Sequence, residues 1–486
     1  MSNSHEERST VRATNYVRLM TREEMSMKQP RRASLKSSGR KTIAIATALM
    51  TFALVTATQG AAWAASGGKA KTSEPAASFL TKKYAGSTIT VLLPPWGQMP
   101  KSQLAKFTKA TGIKVNLESL AWDSIHDKVV TSEAANVSPY DVGEVDWSWV
   151  GQFGAAGWYT PLNGLLPQSV IAGSPMSPAF VYKGKQIAMP YLMDFRGTVL
   201  NMTYFHKAGI TKIPTTWSQL LADAKQIKAK GVLANPVGIP LSVTEGTSTP
   251  WYVLIKSTGT ELLNPTTGRP TFTSLSSPGG QALLFEQELY KDGLVPPGEI
   301  SLTDVQTNSL FQAGKIAVVL SASPGGLAAT FKDPSVSKVA KDDIVFIPFP
   351  GNDGHATGTF ELPEGLGIPK LSTHKAQAAM FIYWWEQLPQ QLLEYNNPNL
   401  GDLPSQTAAI KTLVAQGKLY DGKTVLNILP SVRPLFPEGA PVWYPQFSTD
   451  VATMIQNVVE GKAKPNAALA QLRSQVISLE KQTHEF

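Results

Sequence analysis

The chain has 486 residues, 42% hydrophobic and 16% charged, which is enough for two lobes with real cores. It contains no cysteine, so disulfides, thiolate metal sites, a cysteine nucleophile and a cysteine-linked lipid anchor are excluded. The net charge of +8 is concentrated at the start: residues 1–64 hold 10 Lys/Arg and 4 Asp/Glu, leaving 34 and 32, or +2, for the remainder, which gives no ground for nucleic-acid binding.

Residues 28–41 are basic, 42–57 are apolar and uncharged, and Ala62 and Ala64 stand in A-x-A spacing. This order reads as a signal peptide cleaved before Ala65. Met27 would start a more ordinary leader, so residues 1–26 read as an over-extended start. The run from Arg31 to Lys36 resembles the twin-arginine export pattern, and the general secretory route fits equally well. A soluble exported chain is expected in a periplasm. Residues 65–86 read as a polar linker.

The mature chain opens on a strand over 87–95 that ends in Pro94-Pro95. A helix follows, with Pro100 at its first position, Leu104 and Phe107 inward, and Gly112 as its stop. A second strand covers 113–122, and this β-α-β order predicts a parallel sheet. Trp96 follows the first strand, where open α/β folds bind ligands. Trp122 ends the second strand, and Asp146 and Trp147 follow the strand-like 141–145. The periodicity predicts a helix over 215–231 with Trp217, Leu220, Leu221, Ala224 and Ile227 on one face. Trp251 follows Pro250 in a predicted loop. Strands are predicted over "KIAVVLSAS" and "DDIVFIPFP", and helices over "AQAAMFIYWWEQL" and "ALAQLRSQVISLEKQ". Trp384 and Trp385 are adjacent in one of these helices, and packing is favoured for them although both cannot face one core. The whole is mixed α/β without repeats.

Residues 417–424, "GKLYDGKT", match the phosphate-cradling pattern G-x-x-x-x-G-K-[ST]. That loop needs a strand before it and a helix after it. Here Ile410 and Leu413 give the preceding stretch helical spacing, and prolines at 430 and 434 suggest an extended segment after it. Gly417 is better read as a helix stop and Asp421-Gly422 as a turn. The six histidines are scattered, none in H-x-x-x-H spacing, so no metal is expected, although a site assembled from distant residues is left open.

The order of several short motifs resembles the carbohydrate-binding periplasmic proteins of ATP-binding-cassette importers, of the maltose-binding-protein type. They are "FTKATGIKV", "PYDV" with "AAGWYTPL", "YKGKQIAMPYLMDFRGTVLNMTYFHKAGI", "GLGIPK" and "VWYPQFSTDVATMIQNVVEGKAKPNAALAQL". The resemblance implies an α/β fold of two lobes joined by crossovers. A carbohydrate would sit in the cleft and pass to a membrane permease, whose separate ATPase uses the nucleotide. The chain would act as a monomer, with no cofactor and no nucleic-acid partner. The expected division puts 87–193 and 355–415 in the first lobe, and 194–354 and 416–486 in the second.

Within that resemblance Trp443 stands where a sugar-stacking tryptophan is found, after a breaker-rich loop and at the head of a helix. Asp194 matches a cleft carboxylate, and Arg196 would share its strand face and help grip a diol. Glu361 lies near the second crossover. Core packing competes for the tryptophans, and a plain ion pair competes for Asp194 and Arg196. The expected ligand contacts are therefore Trp96, Trp122, Asp146, Trp147, Asp194, Arg196, Trp251, Glu361 and Trp443, with none catalytic. Pro324-Gly325-Gly326 and Glu361-Leu362-Pro363-Glu364 depart from the maltose type, so the ligand need not be maltose. Two other readings stay open. One is a non-sugar solute such as a polyol phosphate, polyamine or metal chelate. The other is a glycosidase using Asp146, Asp194 and Glu361.

Overall fold

β1 (Thr88–Leu93) and β2 (Lys114–Ser119) pair in parallel, from Thr88 opposite Lys114 to Leu93 opposite Ser119. Helix Lys101–Thr111 makes the crossover between them and buries Leu104 and Phe107. Pro100 is the N-cap, one position earlier than expected, which costs the helix no hydrogen bond. Gly112 stops it at φ 74°, a conformation that favours glycine. The structure is a computed structural model and describes residues 79–325, 327–352, 358–395, 403–436 and 439–483. The leader and most of the predicted linker lie outside the described residues. The last part of that linker is not a free tether, because Phe79, Leu80 and Tyr84 pack on the first core. Phe79 sits 4.4 Å from the ring of Tyr383.

The first sheet continues with β3 (Val142–Asp146), then β6 (Ala188–Met193), β11 (Glu364–Gly367) and β12 (Leu403–Pro404), after a small hairpin of β4 (Val181–Tyr182) and β5 (Lys185–Gln186). Its order is β12-β6-β11-β3-β1-β2. The second sheet holds β7 (Gly197–Asn201), β8 (Val237–Gly238), β9 (Val318–Ala322) and β10 (Ile344–Ile347), in the order β10-β7-β9-β8. Three residues, Asp194 to Arg196, separate β6 in one sheet from β7 in the other, so the chain crosses between lobes there. It crosses back between β10 and β11. These segments run side by side. Phe195 bridges Glu361, and Phe360 bridges Arg433, which makes the stretch around Arg433 a third neighbour at the junction.

Apolar side chains sort by element. Ile89, Val91 and Leu93 of β1 pack with Phe107 and with helix Lys375–Trp385. That helix is buried all round, so Trp384 and Trp385 are both core: Trp384 meets Phe107 and Trp385 meets Tyr191. The predicted limit of one core face does not apply, because neighbours cover more than one side of it. Helix Trp217–Ala229 buries Trp217, Leu220, Ala224 and Ile227 but leaves Leu221, expected on the same face, only partly buried, and the Trp217 indole donates to the Pro350 carbonyl at 2.8 Å. Helix Thr407–Ala415, expected in the first lobe, places Ile410 and Leu413 in a cluster with Val319 and Phe346 of the second sheet and with Leu403 of the first. It therefore spans the junction. Among the described residues no helix is long and apolar enough to cross a membrane.

The "GKLYDGKT" stretch follows that helix, with no strand before it. Gly417 is left-handed at φ 65°. Helix Gly422–Ile428 follows, where an extended segment was expected. Asp421 accepts the Phe346 N–H at 2.7 Å from edge strand β10. The loop thus closes a sheet edge and lacks the strand a phosphate cradle requires.

Candidate functional site

A cavity of about 560 Å³ lies among the described residues. Its wall on the first-sheet side begins at the end of β3. Asp146 accepts the Ser148 N–H at 2.8 Å and so caps the 3-10 turn Trp147–Trp149. This turns Ser148 and Trp149 to the cavity. Trp122 opens helix Trp122–Ala134 and lies with its ring centroid 4.8 Å from Trp149, tilted by 38°. His126, one turn on, joins the same wall and meets the Gln152 side chain at 2.9 Å. The opposite wall carries Glu245 and Asp304, each the first residue of a helix, with Ser448 from helix Tyr444–Val459. Tyr444 donates its hydroxyl to Glu245 at 2.6 Å. The space is therefore lined by Trp122, the 2%-exposed Trp149, a hydroxyl, an imidazole and carboxylates. Apolar C–H faces and hydroxyl groups of a small polar solute suit such a wall.

Burial governs the acids here. It raises the Asp146 carboxyl to about 6, against the hydrogen bonds from Ser148 and Trp122. Glu245 is raised to about 8, first by burial and then by the negative charge of Asp146. Glu361, beside the junction, is raised to about 8 by burial, with Arg433 and Lys256 opposing. Asp194 and Arg196 form an ion pair of 2.6 Å. Burial still leaves the Asp194 carboxyl above its ordinary value, so desolvation outweighs the guanidinium.

The predicted contacts divide among several places. Trp122 lines the cavity, although it begins a helix instead of ending a strand. Asp146 shapes the wall from behind. Trp147 turns away from the cavity into a ring cluster with Tyr444 at 4.9 Å and Phe360 at 5.9 Å. Asp194, Arg196 and Glu361 lie at the junction. Trp96 is half-buried at the end of β1, where its indole donates to Glu364 at 2.5 Å.

Two expectations are corrected. Trp251 is fully buried within helix Glu245–Ser257, which continues through Pro250, and its indole donates to the Gly279 carbonyl at 2.9 Å. Trp443 does head a helix, but it is 3% exposed and packed edge-on between Phe436 and Phe447. Neither lines the cavity. Trp149, His126, Glu245, Asp304 and Ser448 line the cavity and were not among the expected residues. Only the T-x-x-Q capping box at Thr303, just before Asp304, left a trace in the sequence.

Two α/β lobes, joined by adjacent crossovers and enclosing a polar, indole-lined cavity, define a periplasmic-type binding protein. Residues 97–391, more than half of the chain, match the bacterial extracellular solute-binding protein family, and the chain belongs to it. It is similar to the diacetylchitobiose-binding protein of Streptomyces coelicolor, with 26% identity covering 58% of this chain and 64% of that one. It also resembles the mannitol-binding protein of Pseudomonas aeruginosa, with 25% identity covering 72% and 84%. Among solved structures, a maltose-bound Thermotoga maritima protein aligns with TM-score 0.71 and 20% identity over 81% of this chain and 100% of its own. A tagatose-bound solute-binding protein from Thermotoga lettingae gives 0.69 and 23%, over 80% and 98%.

Proposed function

We propose that the chain binds a carbohydrate, mono- to oligosaccharide, between its lobes and delivers it to the permease of an ATP-binding-cassette importer. The observation that carries this reading is the Trp122–Trp149 pair facing Glu245 and Ser448 across one cavity. Indoles stack on the C–H faces of a sugar, and carboxylates and hydroxyls take its hydroxyl groups. Relatives that bind sugars and polyols support it. The chain works outside the cytoplasm, after removal of its leader near Ala65, as a monomer. The lobes divide at the junction of Asp194–Arg196, Phe360–Leu362 and Arg433. Asp146, Asp194, Arg196, Trp96 and Glu361 serve as supports or second contacts around the cavity.

The protein transfers its solute unchanged. The glycosidase reading has less support, because Asp146, Asp194 and Glu361 are each less than a tenth exposed and none lines the cavity. The test is a thermal-shift screen of mono- and disaccharides, chito-oligosaccharides and polyols. A ligand at a hundredfold excess over Kd adds about 2.7 kcal/mol to apparent stability. No shift across the panel, or release of reducing sugar from an oligosaccharide, would sink the reading.

A further inference from the structure

β3 carries Glu144 and Asp146 two residues apart, so both side chains leave one face of the sheet. The antiparallel register of β11 sets Glu364 opposite Asp146. A carboxylate oxygen from each of the three lies within 4.8 Å of the others. Two of these acids have donors. Asp146 takes the Ser148 N–H, and Glu364 takes the Trp96 indole and the Tyr191 hydroxyl.

Glu144 is different. Its side chain is 0% exposed, and neither oxygen has a hydrogen-bond partner among the described residues. The Tyr191 hydroxyl lies close enough to act on it, but a phenol has one hydrogen, and that hydrogen goes to Glu364 at 2.7 Å. The charged groups that act on Glu144 are Glu364 and Asp146, both negative. A buried carboxylate with no donor and two like charges beside it is costly, and a positive charge between the three would remove that cost.

We propose that Glu144, Asp146 and Glu364 hold one divalent cation at the end of β3. The donor set is oxygen only, which selects a hard ion over zinc or copper. Both oxygens of Glu144 are available, and its side chain is fully buried. Calcium accepts bidentate carboxylates and gives up water readily, whereas magnesium keeps several waters, so calcium is the ion this site fits. The ligands come from strands far apart in the chain, so no local spacing reveals them. The ion would anchor Asp146, and through it the turn that carries Ser148 and Trp149. This inference does not rest on the sugar reading, since binding of the ion requires no solute.

The test uses the chelator-treated full chain without any sugar. Calcium, magnesium or manganese chloride is added alone, thermal unfolding is followed, and metal content is measured by mass spectrometry after dialysis. Near one calcium per chain and a saturable rise in Tm are expected. Glu144→Gln keeps the shape and removes one charge, so it should weaken the calcium response at least tenfold. Should that variant fail to fold, Glu364→Gln serves the same comparison. No retained ion together with no saturable rise would overturn the proposal. So would a rise that survives unchanged in the folded variant, because the ion would then sit elsewhere. Failure here would leave the carbohydrate screen untouched.

Discussion

Leu362 donates its backbone N–H to the Asp194 carbonyl at 2.8 Å, and the two residues belong to crossovers running in opposite directions between the lobes. Glu361 N–H donates in turn to the Arg433 carbonyl at 3.1 Å, which ties in the third segment. Three short, laterally bonded segments can change their backbone angles together, as hinge closure requires.

Scattering should therefore show a smaller radius of gyration when a ligand saturates the protein. An unchanged radius at saturation would count against clamshell closure while leaving binding intact. The bonded stretch lies at 359–362, and Arg433 adds a partner that residue spacing alone does not reveal.

A second prediction concerns pH. Burial raises the carboxyl of Glu386 to about 8, against donors from Ser405 and Gln406 at 2.6 Å each. The ordinary value is 4.5. Between those values the folded state holds a proton that the unfolded state has released. Stability is then highest on the acid side and falls as pH rises toward 8. Glu361 and Glu245, also near 8, act in the same direction. Denaturant unfolding should show lower stability at pH 8.5 than at pH 5.5, and Glu386→Gln should shrink that difference by roughly 1–4 kcal/mol. A difference of the same size in the variant would refute the assignment to Glu386.

Much of the frame was legible in the sequence because its signals are local. Gly112 stops a helix, the apolar spacing from Trp217 to Ile227 makes one face, and β1-helix-β2 gives a parallel pair. The site was less legible because it is assembled by packing. Trp149 reaches the cavity only because Asp146 caps a 3-10 turn, and Glu245 only because its helix starts five residues before Pro250. Trp251 and Trp443 carried sequence signals of loops and motif likeness, but neighbouring rings and carbonyls decide their environments. Helix Gly422–Ile428 forms despite the prolines that follow it, since both prolines lie beyond its last residue.

Trp251 and Trp443 should respond differently to the same change. Both are core, so truncation to alanine should cost about 3–5 kcal/mol in either case. Replacement by phenylalanine separates them. Trp251→Phe leaves the buried Gly279 carbonyl without its indole donor, whereas the Trp443 indole N–H has no partner among the described residues. Trp251→Phe should therefore be the more destabilising by about 1–2 kcal/mol in chemical denaturation. Equal losses would mean that the Gly279 bond contributes nothing net. Loss of affinity with intact stability in Trp443→Ala would return that residue to the ligand site.

Trp122 gives the sharpest test of the cavity. It is half-buried, opens its helix, and shares the wall with Trp149 at 4.8 Å. It lines the space and is not fully covered by the fold, so a ligand there would cover surface that folding leaves uncovered. Trp122→Ala should weaken binding by about 1–3 kcal/mol, or roughly tenfold to more than a hundredfold in Kd. Its folding stability should fall by less than that of Trp251→Ala, because less of the ring is buried in the free protein. Calorimetry with the best ligand from the sugar screen and denaturant unfolding of the same preparation measure both quantities. Trp122→Phe should recover part of the affinity, since a smaller aromatic face remains for stacking. If Trp122→Ala binds as tightly as the parent chain, the Trp122–Trp149 wall is not where the solute lies, and the cavity loses its place as the binding site.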